Sequence, residues 1–324
     1  MKWLSRQIIA FVAVVAVAVP TGSADAAGKT VVVSQAFQSL LYLPFYVAMD
    51  AGFFEKQGLR VKKETAGSPT VALQAVISGS ADYSIHGPEW VAIAQSRGGS
   101  VQTVANVVNG AAVWIATTPD FKYTSIKDLK GQTVVTGMMP TTSTSLFMKL
   151  LKENGLDPEK DVKMIQVPIG TEINPFLAGQ AKVAVLYEPG LDQAVSQGMK
   201  VVVSFPRLYG PYFFSTVATR PDADPDTTQR LVNALEMGIR YLHAHPDEAV
   251  RIAKTEFPNL DPKVVESAVR RMIADKVYPE SVAISPEAFE IAMETQVFLG
   301  NLKEAPLYDR LINTTYIKKA LTTK

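Results

Sequence analysis

From Lys29 to Val203 the chain alternates short apolar or β-branched runs with helix-length segments, and that alternation restricts its fold more than any other feature. Thr30 to Val33 reads as a strand, Pro44 to Ala51 as a helix closed by Gly52, and Leu59 to Lys63 as a second strand. Ser68, Pro69 and Thr70 supply an N-cap, a proline at the first helical position and the start of a helix running to Gly79. Tyr83 to Ile85 is a third strand. Gly87-Pro88-Glu89 opens the next helix, Gly98-Gly99 closes it, and the apolar run Val101 to Val108 follows. This order predicts an α/β fold with a mostly parallel sheet covered by helices on both faces.

A second block of the same kind starts after Thr118-Pro119. Ser125 to Lys130 is a short polar helix, Thr133 to Thr136 a strand, and Thr142 to Asn154 a helix with Leu146, Phe147, Leu150 and Leu151 on one face. Val162 to Val167, a helix near Glu172 to Ala178, Val183 to Leu186, a helix to Gly198 and Lys200 to Val203 complete it. From Asp224 onward the pattern is helical alone. Asp224-Pro225, Asp261-Pro262 and Ser285-Pro286 each place a capping side chain before a proline that suits the first helical turn.

The front of the chain has a different character. Lys2 and Arg6 precede the apolar run Ile8 to Val19, and small residues around Ala24-Asp25-Ala26 follow. That is the layout of a cleaved secretory signal peptide over residues 1–26. Its apolar run falls short of the roughly 20 residues that span a bilayer. The chain contains no cysteine, so a lipid-anchored form, disulfides and thiol chemistry are excluded. A soluble exported protein with no membrane anchor is expected. Lys and Arg together number 32 against 31 Asp and Glu, a balance that gives nucleic acid or an anionic membrane no hold. No G-x-S-x-G, H-E-x-x-H or G-x-G-x-x-G motif is present, and no metal or cofactor is expected.

Four segments carry a family likeness. Pro44 to Leu59 (PFYVAMDAGFFEKQGL) resembles the first-helix segment of periplasmic solute-binding proteins of the nitrate/sulfonate/taurine ABC importer family, which also includes binders of the thiamine pyrimidine precursor and of riboflavin. Gly79 to Asp82, Ile126 to Gly131 and Gly179 to Pro189 resemble later segments of that family in the same order, with Lys182 where an Asp is usual. The resemblance implies a two-lobed type II, Venus flytrap fold with C-terminal helices. It puts residues 27–117 and 212–324 in one lobe and 118–211 in the other. Hinges would lie near Trp114 to Thr118 and Tyr209 to Val217. It further implies a monomer that captures a small solute by lobe closure and delivers it to a membrane permease and its ATPase. The alternatives are a pyrimidine-precursor synthase of the same fold, or the ligand-sensing partner of a receptor.

In open parallel sheets ligands bind beyond the carboxyl ends of the strands, where loops meet helix N-termini. The loops in those positions nominate Gln38, Tyr42, Ser68, Thr70, His86, Glu89, Trp90, Trp114, Thr141, Thr142, Ser143, Thr171, Tyr187, Glu188 and Tyr212 as ligand-binding residues, and no catalytic residue. Each also has a structural reading: Ser and Thr as caps, aromatics as core, His86 as a satisfied buried histidine, and Glu89 and Glu188 as structural caps or pairs. The six candidate loops, Gln35 to Pro44, Gly67 to Thr70, His86 to Trp90, Thr136 to Thr144, Gly170 to Asn174 and Tyr187 to Gly190, hold no Lys or Arg, while Glu89, Glu172 and Glu188 lie in or beside them. Acidic loops with aromatic walls favour a nitrogen heterocycle or another flat aromatic that donates hydrogen bonds. An alkanesulfonate or nitrate comes next.

Overall fold

The computed structural model describes residues 28–323, so the expected signal peptide lies outside the described residues. The chain runs β1 (Lys29–Gln35), α1 (Leu43–Asp50), α2 (Phe53–Lys56), β2 (Leu59–Thr65), α3 (Pro69–Ile77), β3 (Tyr83–His86), α4 (Pro88–Ser96) and β4 (Gln102–Gly110). It then crosses to β5 (Trp114–Thr117), β6 (Thr133–Gly137), α5 (Thr142–Glu153), β7 (Lys163–Val167), α6 (Ile173–Leu177), β8 (Val183–Leu186), α7 (Gly190–Ser196), β9 (Lys200–Ser204) and α8 (Phe205–Tyr209). It returns through β10 (Pro211–Thr219). The C-terminal section is helical: α9 (Pro225–Ala244), α10 (Pro246–Glu256), α11 (Pro262–Ala274), α12 (Pro286–Phe298), α13 (Tyr308–Leu311) and α14 (Thr314–Thr322).

Two five-stranded sheets result, ordered β2-β1-β3-β10-β4 and β7-β6-β8-β5-β9. In each, the fourth strand is the one that enters directly after the chain has changed sheets, and it runs antiparallel to both neighbours. The rest of the pairing is parallel, as the alternation predicts: β1 with β2 and β3, β6 with β7 and β8. The strands buried on both faces are nearly continuous in apolar residues, which is why Val183–Leu186 reads clearly in the sequence.

The crossings differ from expectation. Trp114–Thr117 pairs with β8 and β9 and so belongs to the second sheet, not the first. The connection is the buried tripeptide Ala111-Ala112-Val113. The return passes through α8 and Gly210, whose φ of +65° is a conformation that L side chains rarely adopt. The segment from Tyr212 to Val217 is strand in the first sheet rather than hinge. Caps fall where the sequence places them: Ser68, Asp224 and Ser285 accept from the backbone N–H groups of Val71, Thr227 and Ala288. The C-terminal helices cover the first sheet's layer, α9 against α1 and α2 and α12 against β10, while α11 also reaches α7 and α12 reaches α5 of the second.

Candidate functional site

The carboxyl ends of the parallel strands of both sheets meet face to face along one seam. Beyond β1 come Phe37, Ser39 and Tyr42, and beyond β3 come Gly87 and Glu89. From the other side come Thr141 to Ser143 after β6, Ile169 to Glu172 after β7, and Tyr187 and Glu188 after β8. Contacts bridge the seam directly. Thr142 Oγ1 donates to Glu89 Oε1 at 2.8 Å, and Ser39 Oγ donates to the Glu188 carbonyl at 2.8 Å. The Phe37 ring packs between Tyr42 and Tyr187 with centroids 5.6 and 5.3 Å away, and Tyr187 also meets Phe214 at 6.2 Å.

What remains between the lobes is small. One cavity of about 10 Å³ is lined by Tyr42, Glu89, Thr141, Thr142, Tyr187 and Phe214, among others. A second of about 20 Å³ is lined by Phe37, Gln38, Glu172, Tyr187 and Glu188, among others. Small-molecule sites usually measure hundreds of cubic ångströms. The seam is therefore shut, and an organic solute can enter only if the lobes part.

Three buried acids border it. Glu89 sits in the first turn of α4, and its carboxylate folds back over Gly87, where a Cβ would stand 2.2 Å from one oxygen. Burial raises its pKa to about 7, although hydrogen bonds from Thr142 pull the other way. Glu172 is 2% exposed, and burial raises its pKa to about 8. Its Oε1 has no hydrogen-bond partner among the described residues. A Cβ placed on Gly137 would stand 2.9 Å from Thr141 Oγ1, 3.1 Å from Glu172 Oε1 and 3.4 Å from Ser143 Oγ, so three oxygens converge there. Glu188 is different: burial and the neighbouring Asp192 carboxylate push its carboxyl well up, yet Arg271 from α11 reaches it at 3.1 Å and Asp192 at 2.6 Å. Neither cavity is lined by a Lys or Arg.

Of the residues nominated from sequence, Tyr42, Glu89, Thr141, Thr142, Tyr187, Gln38 and Glu188 line the two cavities. Ser143 joins them through its backbone N–H, which donates to the Tyr187 hydroxyl at 3.3 Å. Gln38 is already engaged, donating to Glu256 of α10. The others go elsewhere. Trp114 points its indole N–H at Asp275, the residue that follows the last turn of α11, 3.1 Å away, and lines a separate surface concavity of about 640 Å³. The polar groups there satisfy one another, with Asp275 also accepting from Ser204 and Arg207. His86 is fully buried between Ser84 Oγ and the Gly87 carbonyl, and burial lowers its pKa to about 4. Ser68 caps α3, Thr70 is exposed on it, and Thr171 donates to the Pro168 carbonyl within a turn. Trp90 is half-buried on α4, and Tyr212 is buried against Phe214. Phe37, Ser39, Glu172 and Phe214 are among the seam residues absent from the nominated set. Phe37, Ser39 and Glu172 lie in or beside the candidate loops and were within reach of the sequence. Phe214 was not, because its strand was read as hinge.

Among the described residues no cluster of His, Asp or Glu could hold a metal ion, and no helix is long and apolar enough to cross a membrane.

A family model described as "NMT1/THI5 like" matches residues 41–249. A Bacillus subtilis (strain 168) protein named as a binding protein, YtlA, is 22% identical over 300 residues, covering 90% of each chain. A Haemophilus influenzae protein named for thiamine biosynthesis is 25% identical over 222 residues, 66% of this chain and 68% of its own. Among solved structures, the alkanesulfonate-binding protein SsuA from Xanthomonas axonopodis pv. citri, bound to MOPS, superposes with a TM-score of 0.72 at 16% identity. It covers 88% of this chain and 98% of its own, a likeness of fold: two α/β lobes of the periplasmic-binding-protein type.

Proposed function

The chain belongs to the NMT1/THI5-like family, and we propose that it is the periplasmic solute-binding component of an ABC importer, taking a flat, hydrogen-bond-donating solute such as a nitrogen heterocycle. The observation that carries this reading is the unpartnered Glu172 Oε1, buried beside the Thr141 and Ser143 hydroxyls over Gly137. A buried oxygen left unpaired is destabilising by about 1–3 kcal/mol, and an N–H group brought there by a solute would relieve it. Phe37, Tyr42 and Tyr187 supply the apolar walls for a ring. Capture proceeds by parting and closing of the lobes about residues 111–113 and Gly210, and closure is favoured because the solute contacts both sides only in the shut form. No bond is made or broken. The closed protein then docks on a membrane permease driven by its ATPase. The names of two relatives, one as a binding protein and one for thiamine biosynthesis, support this reading, and the alkanesulfonate binder supports the two-lobed binding fold alone.

The test is the melting temperature of the protein from residue 27 onward against aminopyrimidines, riboflavin, taurine, alkanesulfonates and nitrate. A solute at a hundred times its dissociation constant stabilises by about 2.7 kcal/mol, a rise of roughly 5 °C in a chain of this size. A rise with a heterocycle that disappears in Glu172→Gln is the expected result. A rise with anions alone overturns the choice of solute.

A further inference from the structure

We propose that Glu89 selects against anionic solutes by placing its carboxyl group, from across the seam, on the N-terminus of α5. This inference rests on the solute-binding reading above.

The twelve-residue helix α5 begins in the cleft with nothing of its own to offset its N-terminus. Its N-cap Thr141 makes no side-chain capping bond, and its first turn contains no acidic residue. Such an end exposes unpaired N–H groups and the positive end of the helix dipole, which together attract anions. Here Tyr187 accepts one of those N–H groups, from Ser143. A carboxylate from the other lobe takes the next position: Glu89 Oε1 accepts from the Thr142 hydroxyl at 2.8 Å, with the Thr142 backbone N–H adding to the pull. Glu89 is 2% exposed, so the contact is sealed from water when the lobes are shut. The position is held from behind as well. Gly87 leaves room for the carboxylate to fold back, and an alanine there would collide with both of its oxygens, at 2.2 and 2.4 Å.

Glu89 therefore stands on a helix N-terminus that would otherwise face an anionic solute in the cleft. Above its raised pKa of about 7 Glu89 is a tethered anion, and a free anion must then either displace it or share a dry cavity with it, where two like charges repel strongly. A solute that donates hydrogen bonds meets no such conflict. With that charge removed, the N-terminus of α5 and the hydroxyls of Thr141, Thr142 and Ser143 would be open to an anion as long as Glu172 beside them stays protonated, which burial favours up to about pH 8.

Isothermal titration of the exported protein with butanesulfonate, near pH 7.5, where Glu89 is mostly ionised and Glu172 mostly protonated, tests this in wild type, Glu89→Ala and Glu89→Gln. Circular dichroism and the ligand-free melting temperature check that each variant folds, and Glu89→Gln keeps the side chain's shape if Glu89→Ala does not fold. The expected result is an affinity for butanesulfonate at least about tenfold higher in the variants than in wild type, a gain of about 1.4 kcal/mol. Wild type binding butanesulfonate as tightly as the variants, or no gain in either variant, overturns the proposal. Wild-type stabilisation by a heterocycle is read separately. Its presence would leave the solute-binding reading standing even if Glu89 proved irrelevant to anions.

Discussion

Raising the pH of the ligand-free protein should weaken it, because the seam buries carboxyl groups that prefer to stay protonated. Glu89 is raised from 4.5 to about 7 and Glu172 from 4.5 to about 8, both chiefly by burial. For an acid whose folded pKa lies above its unfolded one, the stabilisation is complete below the unfolded value and is lost as pH climbs through the folded value. Between about pH 5 and pH 8, with the lobes held shut, the loss would be about 3 kcal/mol from Glu89 and about 4 kcal/mol from Glu172. Glu188, pushed up by burial and Asp192, acts in the same direction. His86 opposes them. Its pKa falls from 6.5 to about 4 on burial, so it stabilises as pH rises, by about 2 kcal/mol from pH 5 to its unfolded value. Parting of the lobes hydrates the carboxylates and limits the net loss to a few kcal/mol, roughly 5–10 °C in melting temperature. Calorimetry across this pH range would measure it. The double variant Glu89→Gln, Glu172→Gln should lose most of the decline. A wild-type melting temperature that holds or rises above pH 6.5, or a double variant that declines as steeply, would refute the reasoning.

Two further outcomes follow from single contacts. Arg271→Met strips the cation from Glu188 and Asp192, which are both buried, and should destabilise by roughly 3–5 kcal/mol in urea titrations. Adding Glu188→Gln and Asp192→Asn should restore a large part of that. Gly87→Ala drives the Glu89 carboxylate off Thr142 and should lower stability by roughly 1–3 kcal/mol while flattening the pH dependence. An unchanged pH profile in that variant would mean the close approach is not real.

Local chemistry is what the sequence by itself determined. The caps at Ser68, Asp224 and Ser285, the strand Val183–Leu186 and the two α/β blocks follow from side-chain patterns that act over a few residues. The acidic, lysine-free character of the loops was equally legible, since a loop's composition does not depend on what it faces. Pairing and facing were decided only by the tertiary structure. Trp114–Thr117 is four apolar or β-branched residues that would suit either sheet, and only hydrogen bonding to β8 and β9 assigns them. Trp114 left the candidate site for the same reason: its strand turns it toward Asp275, at the end of a helix more than a hundred residues later. The partnership of Glu89 with Thr142 and that of Glu188 with Arg271 join residues 53 and 83 positions apart, across two lobes. No periodicity encodes such a distance. Those contacts form because burial leaves each charged or polar group at the seam only the partners that the opposite lobe brings to it.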